Sequence, residues 1–211
     1  MLNIIIASDD IDTTIGTNCV LACQHLHNAV DLSIQNVTLL NGYLCTPVEV
    51  EKAIVSFDQQ RFILVAYSHG TEDTLFSTAA GNGYVSLANA YQFATSLVYT
   101  VSCWSGVKLK HELIKHGCHG YVGYVDRVKV PENETDELLF IECENKGLVH
   151  LLTTGASLTE SVEEMKRYYR KQYDELIDQE MYAVAGPLLH NLGALTFYDY
   201  EALTRSELES H

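Results

Sequence analysis

Short apolar runs alternate along this chain with longer segments in which apolar residues recur at helical spacing. The runs predict six strands, at 2–7, 36–40, 61–67, 97–101, 119–125 and 194–198. Most of them are almost continuously apolar, which is typical of parallel strands that helices cover on both faces. The pattern therefore predicts an α/β fold, built as a three-layer sandwich around a central, mostly parallel six-stranded sheet.

Helices are predicted between these strands, with capping residues and glycines at their ends. The predicted helices cover 12–30, 46–57, 86–94, 106–116, 137–152 and 157–177. Thr46-Pro47-Val48-Glu49 and Ser157-Leu158-Thr159-Glu160 have the capping-box pattern at the start of two of them. An alternating segment from Thr74 to Val85, split by Gly81-Asn82-Gly83, predicts a small β-hairpin.

Two consecutive predicted strands each end in a reactive side chain. The run that ends at Tyr67 leads into Ser68-His69-Gly70, and the run that ends at Val101 leads into Ser102-Cys103. The carboxyl ends of neighbouring parallel strands lie about 5 Å apart, at the edge where functional residues gather in such folds. An imidazole there can take the proton of a thiol and leave a thiolate, the competent nucleophile. We therefore predict that His69 and Cys103 form a catalytic pair.

Glycines beside His69 and Cys103 predict two further features that would help a thiolate nucleophile. Gly70 permits a sharp turn, and its amide together with that of Cys103 is predicted to form an oxyanion hole. A helix starting at Gly106 is expected to favour the thiolate through its dipole. Taken singly, His69 fits a hydrogen-bonded structural histidine and Cys103 a small buried apolar residue; the catalytic interpretation depends on the two motifs occurring together.

These motifs resemble those of the caspase-like cysteine peptidases, whose members include caspases, metacaspases and bacterial CHAT domains. That group shares an apolar strand ending in His-Gly and a later apolar strand ending in Cys, as in Ser68-His69-Gly70 and Ser102-Cys103-Trp104-Ser105-Gly106. Segments 117–124 and 151–160 also resemble CHAT sequences, so the resemblance covers about 62–173. It implies a caspase-like fold in which His69 and Cys103 are catalytic.

Substrate preference is less well defined by the resemblance. The spacing of the pair is shorter than in caspases, whose histidine lies about 50 residues upstream of the cysteine. Val101 stands where metacaspases carry an aspartate that favours basic substrates, and Trp104 stands where they carry a histidine. Asp9, Asp10 and Asp12 follow the first strand and either restore a preference for basic residues or are solvated loop acids. We assign these five residues to the predicted substrate pocket.

Other chemistries fit the sequence less well. Cys118 and its neighbours His116 and His119 cluster at a turn, but no second pair of metal ligands accompanies them, so no metal is predicted. Asp9-Asp10 resembles the acidic pair of a phosphorelay receiver, yet the third strand ends in His69 where a receiver needs an aspartate. No glycine-rich phosphate loop follows the first strand, and no cofactor is predicted.

Length and charge define the remaining expectations. The 211 residues predict one domain over 1–211, long enough to bury a core without disulfides. The net charge of −15 disfavours binding to nucleic acids and to anionic membranes. The first apolar run lacks a basic flank, and no run reaches the roughly 20 residues of a membrane span. We therefore expect a cytoplasmic protein with reduced cysteines.

Two functions follow from these observations. The first is a cysteine endopeptidase that cleaves protein or peptide substrates; the CHAT resemblance further implies an intracellular protease of the bacterial effector or defence type, regulated by an activating or inhibiting protein partner. The second is a catalytically silent caspase-like adaptor that binds through its acidic surface and C-terminal helices. Cleavage that depends on Cys103 separates the two.

Overall fold

The computed structural model describes residues 1–58, 60–131 and 133–209. Its strands are β1 (Asn3–Ser8), β2 (Asn36–Asn41), β3 (Phe62–Tyr67), β4 (His69–Gly70), β5 (Thr74–Phe76), β6 (Gly83–Ser86), β7 (Leu97–Val101), β8 (Gly120–Tyr124) and β9 (Leu195–Asp199). Its α-helices are α1 (Gly16–Ala29), α2 (Pro47–Ser56), α3 (Leu109–Lys115), α4 (Glu134–Thr154), α5 (Leu158–Asp178), α6 (Tyr182–Ala194) and α7 (Arg205–Glu209).

The central sheet confirms the predicted α/β architecture. Its six strands run in the order β2-β1-β3-β7-β8-β9. All neighbouring pairs are parallel except β8 with β9, which is antiparallel. A separate antiparallel sheet has the order β4-β5-β6. It contains the predicted hairpin and one further strand, because His69 and Gly70 pair with Phe76 and Leu75.

Alternate residues of the strands belong to two apolar layers, one on each face of the sheet. Ile4 and Ile6 of β1 pack with α1, α4 and α5, whereas Ile5 and Ala7 pack with α2 and α3. Side chains of adjacent strand residues point to opposite faces, so a fully apolar strand fills both layers. This arrangement is the predicted three-layer sandwich.

Two helix starts agree with the sequence at a capping side chain, whereas α4 starts at Glu134, three residues before the predicted start. Thr46 accepts a hydrogen bond from the Glu49 amide at the start of α2, and Ser157 forms a complete capping box with Glu160 at the start of α5. The helix predicted from 106 begins instead at Leu109. The Gly106 amide is already used, because it donates to the Tyr124 carbonyl oxygen at the end of β8. The helix predicted over 86–94 is reduced to a 3-10 turn, Ala90–Phe93.

The helix α6 has no counterpart among the sequence predictions. Ala185 and Leu188 of α6 pack with Phe140 of α4 and with Met165 and Tyr169 of α5 in a third apolar cluster. The chain then turns directly into the antiparallel edge strand β9. None of the described helices has the length and apolar character needed to cross a membrane.

Candidate active site

The pairing of β3 with β7 brings the two sequence motifs together. The strands are parallel, with Tyr67 opposite Val101 at their carboxyl ends. The Ser102 hydroxyl donates to the Ser68 carbonyl oxygen at 2.8 Å and so joins the two chains just beyond the sheet. His69 and Cys103 both line one cleft of about 60 Å³ at this edge. The two strands are neighbours, as a catalytic pair of His69 and Cys103 requires.

Two contacts orient the His69 ring. It stacks on Phe76, with ring centroids 5.4 Å apart, because β4 pairs with β5 in the small sheet. Its Nε2 lies 3.3 Å from Oδ2 of Asp12, whose side chain is only 9% exposed. The small antiparallel sheet and the loop after β1 therefore hold the imidazole from two sides.

Asp12 is itself firmly held. Its Oδ1 accepts hydrogen bonds from the amides of Thr14 and Ile15, at 2.7 and 2.9 Å, and its Oδ2 accepts one from the Thr78 hydroxyl at 2.7 Å. Burial acts to raise the pKa of Asp12, but these hydrogen bonds and the one from His69 outweigh it and lower the pKa to about 2. The carboxylate is thus ionised beside the imidazole and able to stabilise a positive charge on it.

The Cys103 thiol is half-buried, and its sulfur accepts a hydrogen bond from the Val128 amide at 3.3 Å. Burial raises the pKa of the thiol, although the Val128 amide and the Arg127 charge act in the opposite direction. The expectation that a helix dipole favours the thiolate is wrong for this structure. Because α3 begins only at Leu109, no helix N-terminus lies directly after Cys103.

Trp104, the residue that follows Cys103 in the chain, has a left-handed backbone conformation, with φ of +54°. Its amide donates to the Asp126 carbonyl oxygen at 3.0 Å, and the Arg127 guanidinium lies 5.6 Å from the centroid of its ring. A non-glycine residue in this region of φ is strained, and such strain is kept only where surrounding contacts enforce it. The Trp104 contacts therefore fix the turn that presents Cys103.

Gly70 lies against the backbone of the Cys103 segment. A Cβ atom at Gly70 would lie 2.5 Å from the Cys103 carbonyl oxygen and 2.9 Å from the Ser102 Cβ atom, so only glycine fits. The same Cβ position is 3.3 Å from the Cys103 amide nitrogen, which places the two predicted oxyanion-binding residues side by side. That their amides bind an oxyanion stays a prediction.

The residues predicted for the substrate pocket separate into distinct places. Val101 lines the cleft with His69 and Cys103, and Asp12 contacts His69 at its edge. Asp9 is fully buried and accepts hydrogen bonds from the Ser77 hydroxyl and the Thr78 amide. It thereby ties the end of β1 to the small sheet.

Asp10 and Trp104 lie elsewhere. The Asp10 side chain is next to Gly42, where a Cβ atom would be 3.1 Å from its Oδ1. Trp104 faces Arg127 as described, and neither residue is among those that line the cleft.

Among the described residues, one group of potential metal ligands lies close together: Asp9, Asp12 and His69, whose ligand atoms are within 4.8 Å of one another. The two carboxylates also accept hydrogen bonds from the Ser77 and Thr78 hydroxyls and from backbone amides.

In the turn at 116–119, which the sequence analysis considered as a metal site, each side chain contacts a different partner. His116 bonds Glu112, His119 stacks on Tyr200, and the Cys118 thiol donates to the Gly120 carbonyl oxygen.

A loop that sequence reasoning missed covers the sulfur. This cover loop, residues 126–131, carries the Val128 amide that bonds Cys103. Asn191 of α6, fully buried, accepts a hydrogen bond from the Lys129 amide and donates one to the Lys129 carbonyl oxygen, both at 2.8 Å. The His190 ring bonds the Arg127 carbonyl oxygen at 2.9 Å. The only sequence signal for this arrangement was a lone asparagine within a mainly apolar segment.

Comparison with known proteins adds no relative: no protein-family model matches the chain, and no curated protein matches it.

Proposed function

We propose that the chain is a cysteine endopeptidase in which Cys103 is the nucleophile and His69 the general base. The observation that carries the proposal is that both side chains line one cleft beyond the carboxyl ends of adjacent parallel strands, with the ionised Asp12 bound to His69. The resemblance of both motifs to caspase-like peptidases supports the same assignment. Asp12 serves as a positioning residue, because it acts on the imidazole.

In the proposed reaction, His69 first acts as the general base. With its Nε2–H donated to Asp12, His69 keeps the lone pair of Nδ1 for the thiol proton. As that proton moves, the sulfur attacks the scissile carbonyl carbon, and the oxyanion is bound by the amides of Gly70 and Cys103. The C–N bond breaks while His69 returns the proton to the leaving amine. Water, deprotonated by His69, then hydrolyses the thioester, releases the acid and restores the thiol.

The raised pKa of Cys103 fits this scheme because proton transfer to His69 accompanies attack. A general base is needed most when the free thiol is mainly protonated. The cover loop keeps the sulfur hydrogen-bonded to Val128 before substrate arrives. Regulation by a protein partner, expected from the resemblance, is consistent with such a closed resting state.

The test compares the wild type with Cys103→Ala and His69→Ala on a mixture of unfolded proteins, reading new peptide termini by mass spectrometry. We expect cleavage by the wild type and a loss of at least about 10³-fold in both variants, since removing either member of such a pair abolishes most of the rate enhancement. Cys23→Ala is the matched control, because Cys23 is the other thiol that is not fully buried. Cleavage that survives in Cys103→Ala, or is absent from all four proteins, would refute the proposal.

Two observations favour the silent-adaptor alternative. The Val128 amide bonds the Cys103 sulfur, and burial raises the pKa of the Cys103 thiol. In that case the acidic surface and the C-terminal helices are the functional parts, and the same experiment yields no Cys103-dependent termini.

A further inference from the structure

The cleft beside Cys103 and His69 has a composition unlike that of a pocket for charged side chains. Its walls are mainly apolar and are supplied by Ile15, Cys19, Val101, Val128 and Val130. Asn18, in the first turn of α1, is the one amide side chain among its lining residues. No lysine or arginine belongs to this lining, and the nearby Asp12 carboxylate is occupied by His69 and by its other hydrogen-bond donors.

Asn18 carries an unused donor at this position. Its Nδ2 is buried and has no hydrogen-bond partner among the described residues. A buried donor without a partner is costly, and the cost is recovered when a ligand supplies an acceptor. Buried polar groups that lack a partner are uncommon in native proteins, so this amide calls for an explanation.

The size of the cleft sets a second limit. It holds about 60 Å³. Since a single water needs roughly 10–15 Å³ on this scale, the cleft has room for a side chain of up to about four to six heavy atoms. Arginine has more heavy atoms than this, and both lysine and arginine would bring a positive charge against apolar walls. Aromatic side chains exceed it in volume.

We propose that this cleft binds the P1 side chain, that of the residue whose carbonyl carbon Cys103 attacks, and that it selects short uncharged side chains bearing a hydrogen-bond acceptor. Threonine, serine and asparagine meet these conditions. Asn18 is then the specificity-determining residue, because its amide distinguishes threonine from the nearly isosteric valine. The assignment rests on the proposed endopeptidase function.

The experiment uses two peptides that differ only in P1, threonine or valine, and reads both cleavage and binding. The specificity constant kcat/KM is measured with the wild-type chain and with Asn18→Leu. Dissociation constants are measured by fluorescence anisotropy with the uncleaving Cys103→Ala chain and with Cys103→Ala carrying Asn18→Leu. Asn28→Leu is the control, because Asn28 is an exposed asparagine on the same helix.

We expect the wild type to prefer the threonine peptide by about ten-fold, the size of one satisfied hydrogen bond to a buried amide. Asn18→Leu is expected to abolish or reverse that ratio in both readouts, while Asn28→Leu retains it. A P1 arginine peptide is expected to be the poorest substrate of the set.

Failure of this assignment is distinguishable from failure of the protease proposal. If the wild type cleaves but treats threonine and valine equally, or prefers arginine, the P1 assignment is overturned and the protease stands. If no peptide is cleaved while Cys103→Ala still prefers threonine, hydrolysis fails and the cleft assignment stands. No cleavage and no preference in binding overturns both. The wild-type ratio decides the matter even if Asn18→Leu does not fold.

Discussion

At the level of single residues, the contact between Asp12 and His69 has the largest bearing on mechanism. Asp12 lies in the loop after β1 and His69 lies in β4, and the two meet because this loop and the start of the small sheet converge. A fixed carboxylate of low pKa beside an imidazole gives the ring one preferred orientation. Asp12 was expected from the sequence as a possible pocket acid, and the structure gives it this contact instead.

The substitution Asp12→Asn keeps the size of the side chain and removes its charge. We expect kcat/KM to fall by about 10²-fold or more, because the amide does not stabilise the positive charge that His69 gains during attack. The measurement is kcat/KM of both proteins with the same peptide at one pH. Asp31→Asn, in an exposed turn, is the control. An unchanged kcat/KM would show that Asp12 has no influence on the imidazole.

At the level of elements, the cover loop and α6 determine access to the sulfur. Asn191 makes two hydrogen bonds to the backbone of Lys129. The His190 ring bonds the carbonyl oxygen of Arg127, two residues earlier in the same loop. The Val128 amide that covers Cys103 lies between these attachment points. Loosening α6 from the loop should therefore expose the thiol without touching it.

The substitution Asn191→Ala tests this connection through the rate at which iodoacetamide modifies Cys103. We expect a several-fold faster reaction in the variant, and in both proteins a rate that rises with pH because burial raises the pKa of the thiol. The measurement is peptide mapping of a time course.

The matched control for this change is Asn145→Ala. Asn145 is also fully buried and makes hydrogen bonds to Tyr67, Ala22 and His25, but the structure gives it none to the cover loop. Equal acceleration in both variants would mean that general destabilisation, and not release of the loop, exposes Cys103.

Elements with their own local signals were predictable. Apolar strands and capped helices needed no tertiary information, as Thr46 before α2 and Ser157 before α5 illustrate. The helix α6 was missed because Gly186-Pro187 is a turn signal in isolation, whereas packing on α4 and α5 stabilises the helix here. The late start of α3 was equally hidden, since it depends on where the Gly106 amide finds its acceptor.

The candidate site was also predictable only in part. The placement of His69 and Cys103 at one edge of the sheet was predicted from two motifs in the sequence. The partner of His69 did not, because nothing local distinguishes Asp12 from Asp9 and Asp10. The raised pKa of Cys103 also depends on burial, which only the folded chain supplies.

At the level of the whole molecule, one buried acid makes stability depend on pH. Glu144 of α4 is fully buried, and neither carboxylate oxygen has a hydrogen-bond partner among the described residues. Burial raises its pKa from about 4.5 to about 8. The folded protein therefore retains a proton that the unfolded chain releases above about pH 4.5, and stability falls as pH rises from there toward 8.

The substitution Glu144→Gln removes this titration. We expect the wild type to lose about 2 kcal/mol of unfolding free energy relative to the variant between about pH 5.5 and about pH 7.5, an order of magnitude set by about 1.4 kcal/mol per pH unit. Urea unfolding at both pH values measures it, with Glu51→Gln at an exposed site as the control. Parallel behaviour of the wild type and Glu144→Gln would show that Glu144 titrates normally in the folded state.

The close approach of Gly70 to the Cys103 backbone has a consequence for how this protein can change over evolutionary time. Because even a methyl group at position 70 meets backbone atoms, the junction of the two strand ends admits almost no variation. The wall of the cleft is different, since Asn18 and Val101 belong to separate elements, α1 and β7. Descendants of this sequence would be expected to inherit the junction unchanged while drifting freely in what the cleft accepts.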